Sequence, residues 1–303
     1  MKSIYPYQVL TTVAEVKKIS RAAEALHLTP SAVSHMIAGL EEEFGFAIFQ
    51  RSRTGVELTR SGKRLLPYIH SVLREQETLE QQASNIVGVQ EGSVRIGGFY
   101  TVTMNWLVDI FANFHAKYPN IELEFYEGGY QDILSWIERN MVDLTFLGTA
   151  VAGDLDVIPL FRDEIMCVAP MGLELPEKGY LEPADLAGWP IIIQEAGEDA
   201  ETQRLLRDFP QTMKKPHFVI EDDNCIIAMV EAGLGVAFMG ELLCRKRHSR
   251  VQVLPFRPLN YRTIGLHIPK GKALSPATAK MRDCILDYVA GLRETEGDRI
   301  LLE

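Results

Sequence analysis

The stretch from Thr29 to Glu43, Thr-Pro-Ser-Ala-Val-Ser-His-Met-Ile-Ala-Gly-Leu-Glu-Glu-Glu, leaves the chain little choice but a helix with two unlike faces. Thr29 suits an N-cap, Pro30 the first helical position, and Gly45 the residue just past the end. Val33, Ile37, Leu40 and Phe44 recur at spacings of four, three and four, so one stripe must face a core. The other face carries Ser31, Ala32, Ser34, His35 and Ala38. Such small or hydrogen-bonding side chains let a helix come close to a surface and touch base edges. Alone, the stretch is equally an amphipathic helix with an unremarkable solvent face.

Its neighbours bear on that choice. Tyr7, Leu10, Val13 and Ala14 form an earlier helical stripe that ends at Lys17 and Lys18. Ser20 is placed to cap a short second helix bearing Arg21, Ala22, Ala23 and Leu26, and His27-Leu28 turns into the helix at Thr29, a helix-turn-helix. From Phe46 to Thr59 the sequence reads as two short strands around a turn bearing Arg51 and Arg53, suited to phosphate or minor-groove contact. Charge follows the same division. Residues 1 to 66 hold nine Lys or Arg against six Asp or Glu, a net of +3, whereas the remainder holds 22 against 35, a net of −13. A basic module on an acidic body grips phosphate locally.

From Thr59 a long helix is expected, with no strong break before Gly88. Leu65, Ile69, Val72, Gln76, Leu79, Ala83 and Ile86 alternate spacings of four and three, a coiled-coil seam. Such a helix reaches on the order of 40 Å, enough to pair two subunits, though packing along its own body fits the pattern too. Pro67 is tolerable near its start or kinks it.

Several linked motifs in this order carry a family resemblance: Ser20-Arg-Ala-Ala-Glu-Ala-Leu, Leu28-Thr-Pro-Ser-Ala-Val-Ser, Leu40-Glu, Phe49-Gln-Arg, Val56-Glu-Leu-Thr and Gly62. Through them the N-terminal 90 residues resemble LysR-type transcriptional regulators. Val94-Arg-Ile-Gly and Ala232-Gly-Leu-Gly-Val-Ala extend the likeness in outline. The chain departs from the family with Lys17-Lys18 where Gly-Ser is common and with His35 where arginine is common after the recognition serine. His35 is a weaker, pH-dependent cation, so base recognition leans on Ser31, Ser34 and the wing, with phosphate contacts from the lysines. The DNA-contact set is Lys17, Lys18, Arg21, Thr29, Pro30, Ser31, Ser34, His35, Arg51 and Arg53.

Beyond the long helix, strand-like and helix-like segments alternate as in α/β layers. Strands are expected at Val94 to Gly98, Ile121 to Tyr126 and Leu144 to Gly148, then at 164–169, 191–194, 217–220, 236–239 and 262–268. Helices are expected near 104–117, 130–140, 201–208, 224–232 and 276–292. The resemblance implies a two-lobed, periplasmic-binding-protein-like effector domain with crossings near 161–164 and 257–262. The fold class is thus α+β multidomain: a winged helix-turn-helix over 1–59, a linker or dimerisation helix over 60–88, and an effector-binding domain over 89–303. Its first lobe takes about 89–161 and 262–303, its second about 162–261.

In open α/β sheets a ligand meets strand ends and helix N-termini, where backbone N–H groups favour anions. Here those places hold Phe99, Tyr100, Thr101, Thr103, Gly128, Gly148, Thr149, Gln194, Glu195, Asp222 and Asn224. Thr101 and Thr103 serve equally as helix caps. Glu195, Glu198, Asp199, Glu201, Glu221, Asp222 and Asp223 would turn toward the cleft, which favours an amine, although acidic residues also gather at helix N-termini through the dipole. The effector is therefore an organic anion or an amine.

Other function classes are bounded as follows. Cys167, Cys225, Cys244 and Cys284 are widely spaced with no Cys-x-x-Cys, which argues against a zinc site or disulfide framework. Cys225 falls in a first helical turn, where the dipole lowers a thiol pKa and neighbouring Asp222 and Asp223 raise it, so a thiol redox sensor is one alternative. The other is a small-solute-binding protein with a helical appendage. No nucleophile-elbow, phosphate-loop or zinc-protease motif occurs, so no enzyme, cofactor or metal is expected. With no apolar run of membrane length and no secretion-signal pattern, a cytoplasmic location is expected. Double-stranded promoter DNA, a small-molecule effector, further copies of the chain as a homodimer or homotetramer, and RNA polymerase are the implied partners.

Overall fold

The computed structural model describes residues 4–53, 55–86, 91–174, 176–194, 217–220, 222–245, 250–270 and 273–302. The chain divides into two compact units, Met1–Gly92 with Ser135–Met141 and Leu274–Pro276, and Ser93–Leu134, Val142–Ala273 and Ala277–Glu303.

The first unit is built on α1 (Tyr5–Val16), α2 (Ile19–Ala25) and α3 (Pro30–Phe44), followed by strands β1 (Phe49–Ser52) and β2 (Gly55–Leu58) and the long helix α4 (Arg60–Ile86). Helix α1 stops because Lys17 turns left-handed at φ 56° while its N–H still reaches the Val13 carbonyl. Lys18 then takes extended backbone and is the N-cap of α2, so Ser20 lies inside that helix rather than at its cap. Ala22 and Ala23 are buried there, and small side chains allow the neighbouring helices to close in. Thr29 caps α3 by accepting from the Ala32 N–H at 3.2 Å, and Gly45 ends it in the left-handed region. Val9, Leu10, Val13, Val33, Ile37, Leu40, Ile48 and Ile69 join in one core. Each such side chain contributes about 1.5–3 kcal/mol when fully buried.

Strands β1 and β2 pair antiparallel with Arg51 opposite Val56, so Arg51 stands on a strand and Arg53 in the turn. Thr59 caps α4, accepting from the Gly62 N–H at 3.0 Å and donating to the Ala47 carbonyl at 2.8 Å. The expected seam of α4 splits in two. Leu65 and Ile69 enter the winged-helix core, while Val72, Leu79 and Ile86 are 44%, 69% and 83% exposed.

The second unit holds a nine-stranded sheet in the order β4-β3-β5-β11-β6-β9-β7-β8, with β10 also on β6. The strands are β3 (Gly92–Gly98), β4 (Ile121–Glu127), β5 (Leu144–Gly148), β6 (Val157–Pro170), β7 (Ile191–Gln194), β8 (Phe218–Ile220), β9 (Val236–Gly240), β10 (Val251–Leu254) and β11 (Tyr261–His267). Strand β6 joins two halves. Its first part, to Glu164, pairs antiparallel with β11, and from Ile165 onward it pairs with β9 and β10. Both faces are covered: Ile165 and Cys167 point into one core with Val236 and Phe238, and Val168 points into another with Ile192 and Ala237. Burial pushes the Cys167 thiol up to about 12.

Helices Val108–Lys117, Tyr130–Glu138, Asp223–Glu231 and Pro276–Gly291 lie at or near their expected positions. Strand β10 and the short helix Glu241–Cys244 were not expected, and the helix expected near 201–208 lies outside the described residues. Among the described residues no helix is long and apolar enough to cross a membrane.

Candidate functional site

Two surfaces gather the candidate residues, one in each unit. On the first unit, Ser31, Ser34 and His35 are exposed on α3, opposite Val33, Ile37 and Leu40. The Ser31 hydroxyl lies 3.0 Å from the Thr29 hydroxyl, so those two oxygens are tied to the cap, while Pro30 supplies the first turn. Ser34 and His35 extend one turn further along the same face. Lys17, Lys18, Arg21, Arg51 and Arg53 are exposed as well. Val56 of the hairpin donates its N–H to the Lys17 carbonyl at 3.0 Å, so the lysine loop and the wing are fastened together. The first unit thus presents short polar groups on an exposed helix face, and long cations on α2, the lysine loop and the wing, chemistries suited to base edges and phosphates respectively.

The second surface is concave. A cavity of about 400 Å³ opens where β3, β4 and β7 end. Phe99, Tyr100 and Thr101 line it from the turn after β3, and Gly128 from the turn after β4. Gln194 contributes from the end of β7, and Asp222 and Asn224 from the start of helix Asp223–Glu231. The neighbours Gly129, Tyr130 and Asp223 are lining residues too. Thr103, Gly148 and Thr149 do not line the cavity. The Thr103 hydroxyl donates back to the Phe99 carbonyl at 3.3 Å within a turn of π-helix (Thr103–Leu107), a helix-internal bond. Gly148 instead makes room for a lining residue, because a Cβ there would stand 2.8 Å from the Tyr130 hydroxyl. Thr149 begins a short helical turn beyond β5. Glu195, with Glu198, Asp199, Glu201 and Glu221, lies outside the described residues.

Glu127 and Arg262 also line the cavity, and the sequence did not single them out. Arg262 stands on β11 directly opposite Asp163 on β6, and its Nε donates to Asp163 Oδ2 at 2.8 Å. Its Nη2 donates to Thr101 Oγ1 at 3.2 Å, and the guanidinium lies 5.6 Å from the centre of the Phe99 ring. Asp163 is fully buried, and its second oxygen accepts the Leu242 N–H at 2.8 Å. A Cβ at Gly240 would lie 2.0 Å from Asp163 Oδ2, so only glycine leaves room for the pair. Asn105 Nδ2 completes the junction by donating to the Thr101 and Leu242 carbonyls at 2.8 and 3.1 Å. A charged residue predicted beside a strand crossing was the available signal for Arg262; its partner 99 positions away was not visible.

Aromatic rings shape the upper wall. Phe99 and Tyr130 meet edge to face at 5.6 Å, and Tyr100 packs against the core that holds Ile192 and Met239. Asp222 accepts the Cys225 N–H at 2.9 Å, which holds its carboxyl below the ordinary carboxylate value. Cys225 is exposed, and none of the four cysteines is in a disulfide. Among the described residues no cluster of His, Cys, Asp and Glu is arranged to hold a metal ion.

Residues 6–63 match the family model of the bacterial regulatory helix-turn-helix protein, lysR family, and residues 88–290 match the LysR substrate binding domain. An uncharacterised HTH-type transcriptional regulator of Bacillus subtilis, YvbU, is 28% identical over 278 residues, covering 91% of this chain and 94% of its own. Full-length OxyR from Pseudomonas aeruginosa, as a single-site variant, has the same fold with a TM-score of 0.76 at 21% identity, over 100% of this chain and 99% of that one. Full-length CbnR, solved in complex with its target DNA, has a TM-score of 0.65 at 14% identity, over 94% of this chain and 99% of that one. With both of its characteristic domain models matched in order, the chain belongs to the LysR family of DNA-binding transcriptional regulators that carry an effector-binding domain.

Proposed function

We propose that residues 1–59 read promoter DNA, that the helix over 60–88 pairs two copies of the chain, and that residues 89–303 sense a small organic effector in the cavity beneath Phe99 and Tyr130. In this reading Ser31, Ser34 and His35 meet base edges in the major groove. Lys17, Lys18, Arg21, Arg51 and Arg53 hold phosphates or the minor groove, and Thr29 and Pro30 fix the helix start. The observation that carries the reading is the exposure of Ser34 and His35 on a helix whose opposite face is locked into a core. The exposed stripe Val72, Leu79 and Ile86 supports pairing through α4, because an uncovered apolar seam at heptad spacing is stabilised by a second helix. A pair of such dimers gives a homotetramer on a roughly palindromic site.

The effector reading rests on the lining of the cavity. Phe99, Tyr100, Thr101, Gly128, Gln194, Asp222 and Asn224 belong to the same concave surface, which is the usual setting for a small ligand. A ligand touching Thr101 or Arg262 acts on bonds that run through Asp163 and Leu242 to both halves of the sheet. Such contacts bias how the halves sit and hence the spacing of bound dimers, a coupling between effector and DNA. The regulator then acts in the cytoplasm, and its output passes through contact with RNA polymerase at the promoter.

Operator and random duplexes, titrated over a range of salt, test the DNA half of the reading. Ser34→Ala and His35→Ala are expected to cost discrimination, each by about 1–3 kcal/mol if it removes a base contact. Arg53→Ala is expected to weaken both duplexes alike and to lower the salt slope by about 1. Unchanged discrimination in Ser34→Ala would remove α3 as the reading face.

A further inference from the structure

Of the nine lysines and arginines in residues 1–66, five belong to the DNA-contact set: Lys17, Lys18, Arg21, Arg51 and Arg53. Arg60, Lys63 and Arg64 do not, and all three are exposed at the start of α4. They stand at positions i, i+3 and i+4, so they share one helix face and repel one another. They also stand at the positive end of the helix dipole, where carboxylates are favoured, and the first turn of α4 holds no acidic residue. The opposite face is the one that folding requires: Gly62 and Ile69 are buried, and Leu65 packs on the winged-helix core. Packing thus accounts for Gly62, Leu65 and Ile69 and for none of the three cations.

Arg64 lines a hollow with Glu138, a counter-charge within the same unit. Arg60 and Lys63 have no such neighbour: among the described residues neither enters an ion pair. Nor is the helix end itself what draws an anion, because Thr59 already takes the Gly62 N–H on its hydroxyl at 3.0 Å and the Lys63 N–H on its carbonyl at 2.9 Å.

The second observation is where this turn is fastened. The Thr59 N–H and hydroxyl donate to the Ile48 and Ala47 carbonyls at 2.9 and 2.8 Å, and a Cβ at Gly62 would stand 2.3 Å from the Ile48 oxygen. The first turn of α4 therefore lies against the backbone that enters β1, the strand bearing Arg51. At roughly 3.4 Å per residue, Ile48 and Ser52 are separated by roughly 13 Å, about four phosphates along one DNA strand. Arg60 and Lys63 thus share one rigid body with the wing arginines, at the spacing of a backbone contact.

We infer that Arg60 and Lys63 grip the DNA backbone, so that the start of the linker helix belongs to the DNA-binding surface as well as to the dimer arm. The inference rests on residues 1–59 reading DNA. Two cations that work against their own helix are relieved by phosphates, each of which carries a full negative charge.

Full-length protein titrated onto a random-sequence duplex several helical turns long, over a range of salt, tests it, because phosphate contacts need no operator. Joint Arg60→Ala and Lys63→Ala replacement is expected to lower the salt slope by about 2. The affinity lost between about 50 and about 200 mM salt should then be about tenfold smaller than in the parent. Thermal unfolding should not follow: with two cations gone from the positive end of α4, Tm holds or rises. Joint Arg60→Lys and Lys63→Arg replacement keeps the charge and should keep the parental slope. An unchanged slope in the alanine pair, beside Arg53→Ala lowering it by about 1, overturns the inference and leaves the reading of residues 1–59 intact. An unchanged slope with a lower Tm overturns it in favour of a structural role, and an unchanged slope with lost transcription in favour of an acidic protein partner. If Arg53→Ala leaves the slope unchanged too, the DNA reading itself falls.

Discussion

The two candidate surfaces, one in each unit, are built in different ways. The winged helix presents its candidate contacts outward from one continuous stretch between Lys17 and Arg53, on elements whose other faces form a single core. The candidate cavity assembles residues from Phe99 to Arg262, drawn from separate strands, the turns after them and the start of a helix. The exposed helix face needs a rigid backing and short side chains. The concave site needs charges and hydroxyls balanced against each other, because each loses water when a ligand arrives. Damage should therefore remain local in the first region and spread in the second.

Asp163→Ala sharpens that contrast most. It leaves the Arg262 guanidinium, 12% exposed, without its buried partner and strips the Leu242 N–H of its acceptor. Breaking a buried pair in this way costs about 3–5 kcal/mol. Amide exchange should show β6, β9 and β11 opening faster while α1–α3 keep their protection. Equal loss of protection in α1–α3 would break the comparison, since the two regions would then unfold as one. A joint Asp163→Leu and Arg262→Met replacement should recover much of the loss, because it removes both charges together.

The same geometric difference decides what could be read from the chain alone. On α3 the spacing of Val33, Ile37 and Leu40 fixes the buried side, and so assigns Ser34 and His35 to the solvent side without any knowledge of partners. Thr29 and Gly45 act at the helix ends as their chemistry requires. Ser20 misled because Lys18, whose side chain makes no capping bond, holds the extended backbone that starts α2, a choice set by packing rather than by capping chemistry. In the cavity, Phe99, Thr101, Gly128 and Asp222 were legible because strand ends and helix starts leave a signature. Arg262 and Glu127 were not. Each sits on a strand where a charged residue ordinarily means a solvent face, and only the register of β11 against β6 brings Arg262 over Asp163. Thr103, Gly148 and Thr149 share the strand-end signature yet lie outside the cavity, since one residue's rotation around a turn is beyond the resolution of a pattern.

Thr29→Ala gives a smaller and more confined effect. The Thr29 oxygen satisfies the Ala32 N–H, and replacing a threonine cap with alanine costs about 1 kcal/mol. Exchange should quicken in the first turn of α3, and affinity for operator should fall because Ser31 and Ser34 are carried on that turn. The thermal response to cavity ligands should not move. A shifted ligand response would show that the α3 cap and the cavity are coupled, against the separation drawn here.

The smallest effect is expected in acid and belongs to the cavity side. The Cys225 N–H holds the Asp222 carboxyl below its ordinary value, so the folded state favours the ionised form. A lowered folded value means a stabilising contribution that is complete above the unfolded carboxylate pKa and disappears as the pH falls through the lower folded one. Asp222 is exposed, and solvent screening keeps that contribution slight. Asp222→Asn retains a capping oxygen and removes the titration. Its acid limb should be slightly flatter than that of the parent across the carboxylate range, with the two proteins closest at the acid end, where Asp222 is already protonated. With Trp136 and Trp189 replaced by phenylalanine in both proteins, the fluorescence of Trp106, buried against Phe161 in the same unit, reports this loss separately from the winged helix. If the variant were instead less stable by a constant amount at every pH, the cap geometry and not the charge would be what Asp222 supplies.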